Sequence, residues 1–240
     1  METYIFIDIE TVAQFPSFNA LNANNKALWI RKISNVRGLG IVEPSEANGF
    51  LYEQKAGIFA EFSQVVCISI GHVLMIEDKY YFRTKSFAGR DEKEILTQFS
   101  TLCAKKMNRL HNQRFVGHNI REFDFPFLAR RMIIGGIPLP PAFKLAGKKP
   151  WEVKHLLDTL EMWKFGDYKN YISLNLLSEI LDVPSPKVDM DGSQVHQVYW
   201  GAQDLEKIRL YCEKDVFTTA MVFYKLNQIQ IPQLLEVSSV

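Results

Sequence analysis

The chain has 240 residues, 47% hydrophobic and 23% charged, which excludes a disordered polymer and is enough for one sizeable core. Its formal net charge of +1 excludes a globally basic nucleic-acid coat but leaves room for a local basic groove. Three scattered cysteines, Cys67, Cys103 and Cys212, without C-x-x-C spacing exclude a zinc ribbon or a disulfide framework, and no apolar run approaches the ~18 residues of a transmembrane helix.

The first predicted strand is residues 4–10, within "YIFIDIET". No signal-peptide pattern precedes it, and a soluble, cytoplasmic protein is expected. Strand alternation puts Tyr4, Phe6, Asp8 and Glu10 on one face and Ile5, Ile7 and Ile9 on the other. Two neighbouring carboxylates on an otherwise buried strand repel each other and cost several kcal/mol to desolvate. Either they face solvent or a cation holds them.

Residues 12–62 carry weaker signals: a helix in "NNKALWIRKISNV", a loop in "RGLGIVEPSEANG" and a further helix in "FLYEQKAGIFAEF". A continuous apolar strand follows over 64–76, then a turn at Glu77 and Asp78 and a strand over 79–87. Residues 91–110 read as an amphipathic helix, acidic at its start and basic at its end. "RFVGHN" is a short strand, and 125–136 a helix with Pro126 in its first turn and Gly135 at its end. After a loop come a short strand with a helical turn (154–165), a helix (173–183), a second loop and a long helix over 204–229. Cys67 and Cys212 sit among apolar residues and read as core thiols. This order predicts an α/β fold, a mixed sheet flanked by helices, and a single domain over 1–240.

Two further acids complete a constellation. Asp124, in "GHNIREFDFPFL", precedes a helix start, where it caps that helix or faces a cleft. Tyr211 and Asp215, in "YCEKD", are four apart on one helix face. Asp8, Glu10, Asp124 and Asp215 form a set of hard oxygen ligands suited to Mg²⁺ or Mn²⁺. Two such ions can clamp the attacking and leaving oxygens of a phosphodiester displacement, with a tyrosine to orient the water or help deprotonate it.

"FIDIET", "GHNIREFDFPFL" and "YCEKD" resemble the three motifs of the DEDD 3′–5′ exonucleases of the RNase H-like fold, and Tyr-x-x-x-Asp marks the tyrosine subtype. The histidine subtype would need His where Leu210 stands. The middle motif is most similar to the proofreading domain of family-B DNA polymerases and to related stand-alone domains. The resemblance implies metal ligation by Asp8, Glu10, Asp124 and Asp215, with Asp8 bridging two divalent cations and Tyr211 at the water. It implies substrate contacts from Thr11, Asn119 and Phe123, and as substrate the 3′ ends of single-stranded DNA. An RNA-trimming exonuclease similar to ribonuclease D and an inactive nucleic-acid-binding module are the alternatives. With no polymerase domain in this length, any polymerase or repair factor would be a separate partner.

Other features read as ordinary structure. "DMDG" at 189–192 lacks the glycine and glutamate an EF-hand requires, since Gln194 and Trp200 stand there, and reads as a turn. His118 has a structural role, and Asp158 is either a group beside the site or a surface acid. Arg121, Arg130, Arg131, Lys144, Lys148, Lys149 and Lys154 are candidate phosphate contacts or solvated surface.

Overall fold

The computed structural model describes residues 3–34, 44–109, 111–184, 190–229 and 236–239. Its frame is one mixed sheet of β1 (Thr3–Ala13), β2 (Ser63–Ile76), β3 (Lys79–Ala88), β4 (Gln113–Gly117), β5 (Leu156–Asp158) and β6 (Glu236–Ser239), in the order β5-β4-β1-β2-β3-β6. β1, β2 and β3 are antiparallel neighbours. β4 is parallel to β1, β5 to β4 and β6 to β3. Glu77 and Asp78 take φ of 52° and 61°, the left-handed pair that a two-residue hairpin needs between right-twisted strands.

The alternation of β1 sorts the helices into two layers. Ile5, Ile7 and Ile9 pack on α3 (Glu92–Lys106) and α4 (Asp124–Ile134) through Phe99, Phe125 and Leu128. Tyr4 and Phe6 face α8 (Leu205–Leu226), against Val216, Phe217 and Phe223. α5 (Thr159–Lys164) and α6 (Leu174–Ile180) add a cluster of Leu160, Leu177 and Val222 against α8. α1 (Ala23–Ser34) and α2 (Pro44–Lys55) close a satellite core around the fully buried Trp29 and Tyr52. Among the described residues, no helix is long and apolar enough to cross a membrane.

Several expected boundaries move. Residues 44–49, expected as loop, open α2, because Pro44 has the fixed φ and missing N–H that suit a first helical position. Residues 37–43 of that loop lie outside the described residues. α3 stops at Lys106 rather than 110, because the side chain of Gln113 donates to the Lys106 carbonyl and accepts from Arg109 N–H. α6 ends at Ile180, before Asp182 turns left-handed at φ 50°. His118 and Asn119 leave β4. Two elements had no sequence expectation: β6, and the helical turn α7 (Val195–Gln197) that runs into a π-helical turn over Val198–Ala202.

One buried ion pair ties the α3–α4 layer to the sheet. Arg131 is 6% exposed; its Nε donates to Glu92 Oε1 at 2.8 Å, its Nη2 pairs with Glu92 Oε2, and its Nη1 donates to the Ala60 carbonyl at 2.8 Å. Glu92 Oε1 also accepts Val65 N–H at 2.7 Å. Of the candidate phosphate contacts, Arg131 is thus a structural strut. Arg121 is another, with Nε and Nη2 both on the Leu156 carbonyl. Removing one partner of a buried pair strands the other, at a cost of about 3–5 kcal/mol. Arg131→Met should lower unfolding free energy by about that much in urea melts, and the exposed neighbour Arg130→Met by less than about 0.5 kcal/mol.

Candidate active site

The site depends on how closely α8 crosses the sheet. On the α8 side, β2 presents Cys67, Ser69 and Gly71 opposite Glu10, Asp8 and Phe6. These small residues form a lane into which the helix settles. A Cβ on Gly71 would lie 2.4 Å from the Phe82 ring and 2.9 Å from Val216 Cγ1. The rotation of α8 is set by a chain of hydrogen bonds: Ser69 Oγ to Ser86 Oγ at 2.8 Å, Ser86 Oγ–H to Glu213 Oε1 at 2.6 Å, and Arg209 Nη1 to the same oxygen. That setting turns Tyr211, Cys212 and Asp215 toward β1.

β1 contributes Asp8 and Glu10 just before a bulge. Glu10 pairs with Cys67 but Thr11 with Val65, so Val66 is the extra residue. Bulges of this kind re-aim side chains at sheet ends. Thr11 Oγ1 donates to the Gly57 carbonyl at 2.7 Å, which seats the turn after α2 on the strand end.

The third contribution is the turn between β4 and α4. Asn119 takes φ 63°, and its carbonyl accepts from Glu122 and Phe123 N–H. Asp158, at the end of β5 and 3% exposed, holds this turn in place. Its carboxylate accepts from the backbone N–H of Asn119 (2.9 Å), Arg121 (3.1 Å) and Leu160 (3.0 Å). Of its two expected readings, the surface acid is excluded. His118 is structural: Nε2–H donates to the Ile172 carbonyl at 2.9 Å, and Nδ1 lies 3.0 Å from Thr159 Oγ1. The turn delivers Asp124 as the first residue of α4, its carboxylate accepting its own N–H and that of Ile9.

The four acids therefore converge from three separate parts of the chain. Asp8 keeps partial exposure, while Glu10, Asp124 and Asp215 are 7%, 3% and 9% exposed. Burial, and then the charges of Asp124 and Asp215, raise Asp8 well above the usual carboxylate range. Burial, then Asp8 and Asp215, do the same to Glu10. Burial takes Asp124 to about 7 and Asp215 to about 6, the latter opposed by a hydrogen bond from Tyr211 and by the Lys214 charge. Tyr211 is itself pushed up by burial and by the surrounding carboxylates, so its hydroxyl is a donor.

Four crowded, largely buried carboxyl groups, and a buried Asp215 Oδ1 without a hydrogen-bond partner, are the chemistry that divalent cations complete. The donor set fits hard cations. The ligand atoms of Asp8, Glu10 and Cys212 lie within 4.8 Å of one another. Burial holds Cys212 as a thiol, whose Sγ donates toward the Asp8 carbonyl oxygen at 3.4 Å and Asp8 Oδ2 at 3.6 Å. Carboxylate oxygens are then the available ligands.

A cleft of about 290 Å³ opens beside Glu10, Thr11 and Phe123. Its far wall, Gln54, Ser193 and His196, comes from α2 and the 190s segment, and sequence reasoning gave none of these three a part in the site. Asn119 is not among the cleft residues; its backbone shapes the turn. "DMDG" is a turn over its described residues, with Asp191 accepting Ser193 N–H at 2.8 Å; Asp189 lies outside them.

A carboxyl raised above its unfolded value of 3.8 keeps its proton in the fold where the unfolded chain has lost it. Stability then falls as pH rises from about 4 through about 7. Asp124→Asn cannot make this transition. In EDTA the variant should gain on the parent by roughly 2 kcal/mol or more between about pH 4.5 and 7.5, read from urea melts at each pH. An equal difference at both pH values would show that Asp124 ionises as freely in the fold as in water.

Residues 58–233 match the family model described as "Predicted 3'-5' exonuclease related to the exonuclease domain of PolB". No curated protein matched the sequence. Among solved structures, the chain is similar to the family B DNA polymerase of the hyperthermophilic archaeon Pyrobaculum calidifontis, with a TM-score of 0.56 and 16% identity. That match covers 95% of this chain and 25% of the polymerase, so the chain spans about a quarter of that protein's length. The likeness carries the fold, and the expected RNase H-like α/β architecture holds. The chain belongs to the family of predicted 3′–5′ exonucleases related to the exonuclease domain of PolB.

Proposed function

We propose that the chain is a single-domain 3′–5′ exodeoxyribonuclease that hydrolyses phosphodiester bonds from the 3′ end of single-stranded DNA. The reading rests above all on the convergence of Asp8, Glu10, Asp124 and Asp215 beside a cleft, with Asp215 Oδ1 unpartnered. These four carboxylates would hold two divalent cations, Mg²⁺ or Mn²⁺. The cations would supply the positive charge that stabilises the attacking and leaving oxygens.

The remaining roles belong to the chain itself. Tyr211, one helical turn before Asp215, orients the attacking water as a hydrogen-bond donor; with its pKa raised it is no base. Phe123 and Thr11 border the terminal nucleoside in the cleft, and Asn119 acts through the turn that carries Phe123 and Asp124. Asp158 keeps that turn from relaxing.

The test is digestion of matched end-labelled DNA and RNA strands with Mg²⁺ or Mn²⁺. Stepwise release from the 3′ end, faster for DNA, is expected. Faster loss of RNA would overturn the choice of sugar, and tight binding without release would overturn the enzyme reading.

Substitutions separate the roles. Asp8→Asn removes one of the charges that would hold the cations and should cost at least about 1000-fold in single-turnover rate, with Asp215→Asn close behind. Tyr211→Phe removes only an orienting hydroxyl, an effect within the ~100- to 10,000-fold range of such groups. Its loss should be smaller than that of Asp8→Asn, with Mn²⁺ affinity retained in calorimetry. A Tyr211→Phe protein that no longer binds Mn²⁺, or a near-normal Asp8→Asn rate, would refute this division of labour.

A further inference from the structure

A second groove, of about 550 Å³, lies between α4 and the segment that follows it. Its wall includes Pro126, Ile133, Phe143 and Leu145, and two cations, Arg130 and Lys144, line it with them. Phe123, Pro126, Arg130 and Ile133 succeed one another at three-, four- and three-residue steps and share one face of α4 and its cap. Phe123 also borders the cleft beside Glu10. One face of α4 thus leads from the acid cluster into the groove over roughly 14 Å of helix axis.

Positive charge gathers around this groove. Residues 130–154 hold six Lys and Arg against one acid, Glu152, although the whole chain carries only +1. Arg131 is bound to Glu92, but Arg130, Lys144, Lys148, Lys149 and Lys154 are exposed. Beyond the groove, Lys149 Nζ sits 5.2 Å from the ring centre of Trp151, which is 65% exposed. Apolar and aromatic wall with cations on the rim suits a polyanion whose bases are unpaired, because bases need flat apolar surface while phosphates need charge. A duplex would offer the apolar wall nothing.

We propose that the single strand whose 3′ end enters the cleft runs along this groove, its bases against Pro126, Ile133 and Leu145 and its phosphates on Arg130 and Lys144. The path rests on the exonuclease reading above and names the surface that holds the strand behind the reacting end.

Binding of 5′-labelled oligo(dT) of about twelve nucleotides, by fluorescence anisotropy in EDTA across a salt series, tests it. Each phosphate contact on a single strand contributes about 0.7 to the slope of log affinity against log salt. Arg130→Gln and Lys144→Gln should each reduce the slope by about that amount. Together they should weaken low-salt binding by about tenfold or more. With Mg²⁺, the kcat/KM ratio of the long strand over a dinucleotide should fall in step. Lys93→Gln, on the exposed face of α3, should leave the slope at the parent value. Parent slope and parent length dependence in both groove variants would overturn the proposal while leaving the exonuclease reading intact. Reduced slopes in a protein that releases no nucleotide would keep the groove and overturn the exonuclease reading instead.

Discussion

Four carboxylates pressed together under low exposure are the constraint from which the rest of this structure follows. Left alone they would separate or protonate, and the raised carboxyl groups at Asp8 and Glu10, pushed up by burial and then by the neighbouring acids, record that pressure. What holds them together is rigidity on each side. β1 is locked between β4 and β2 near the centre of the sheet. α8 is drawn onto the small-residue lane of β2 and fixed in rotation by Glu213. The α4 turn is tied by Asp158 to three backbone N–H groups. None of these restraints uses the acids, so their charge remains available to a ligand.

The same logic explains which parts of the fold could be read from residues alone. β1, β2, β3, α3, α4 and α8 carry local signals: alternation, a continuous apolar run, a helix with acids at its start, a proline in the first turn. The shared faces of Asp8 with Glu10 and of Tyr211 with Asp215 were legible from spacing, and Asp124 from its place before a helix start. Elements defined by partners far along the chain were not legible. β6 exists by pairing with β3, some 155 residues earlier. The turn over Val198–Ala202 is held by Tyr199 and Trp200, the latter donating from Nε1 to the Ala13 carbonyl at 3.1 Å.

Charged residues show that limit most sharply. Arg130 and Arg131 are adjacent and chemically identical, yet one is exposed and the other is a buried strut. Helical geometry turns them about 100° apart, and only the presence of Glu92, 39 positions away, decides which is which. Asp158 is similar: beyond the local cap to Leu160, nothing in "LLDTL" announces the backbone donors that arrive from Asn119 and Arg121. The far wall of the cleft was hidden for another reason. It is built by α2 and the 190s segment, where hydrophobic periodicity is weak and the contacts are made by single residues such as Gln54 and His196.

Electrostatics then poses a problem that the charge distribution resolves. An uncompensated acid cluster repels a phosphodiester strand as strongly as it attracts cations, and a chain of net charge +1 has no general surplus to offset that. A local surplus lies within reach, in the Lys and Arg between 130 and 154, approached from the acids along one face of α4. Arg130 stands six residues, about 9 Å of helix axis, beyond Asp124, close to the roughly 8–10 Å over which ordinary salt screens charge. The two fields therefore overlap only in part, so the basic stretch acts on the strand as it approaches and the acids on cations at its end.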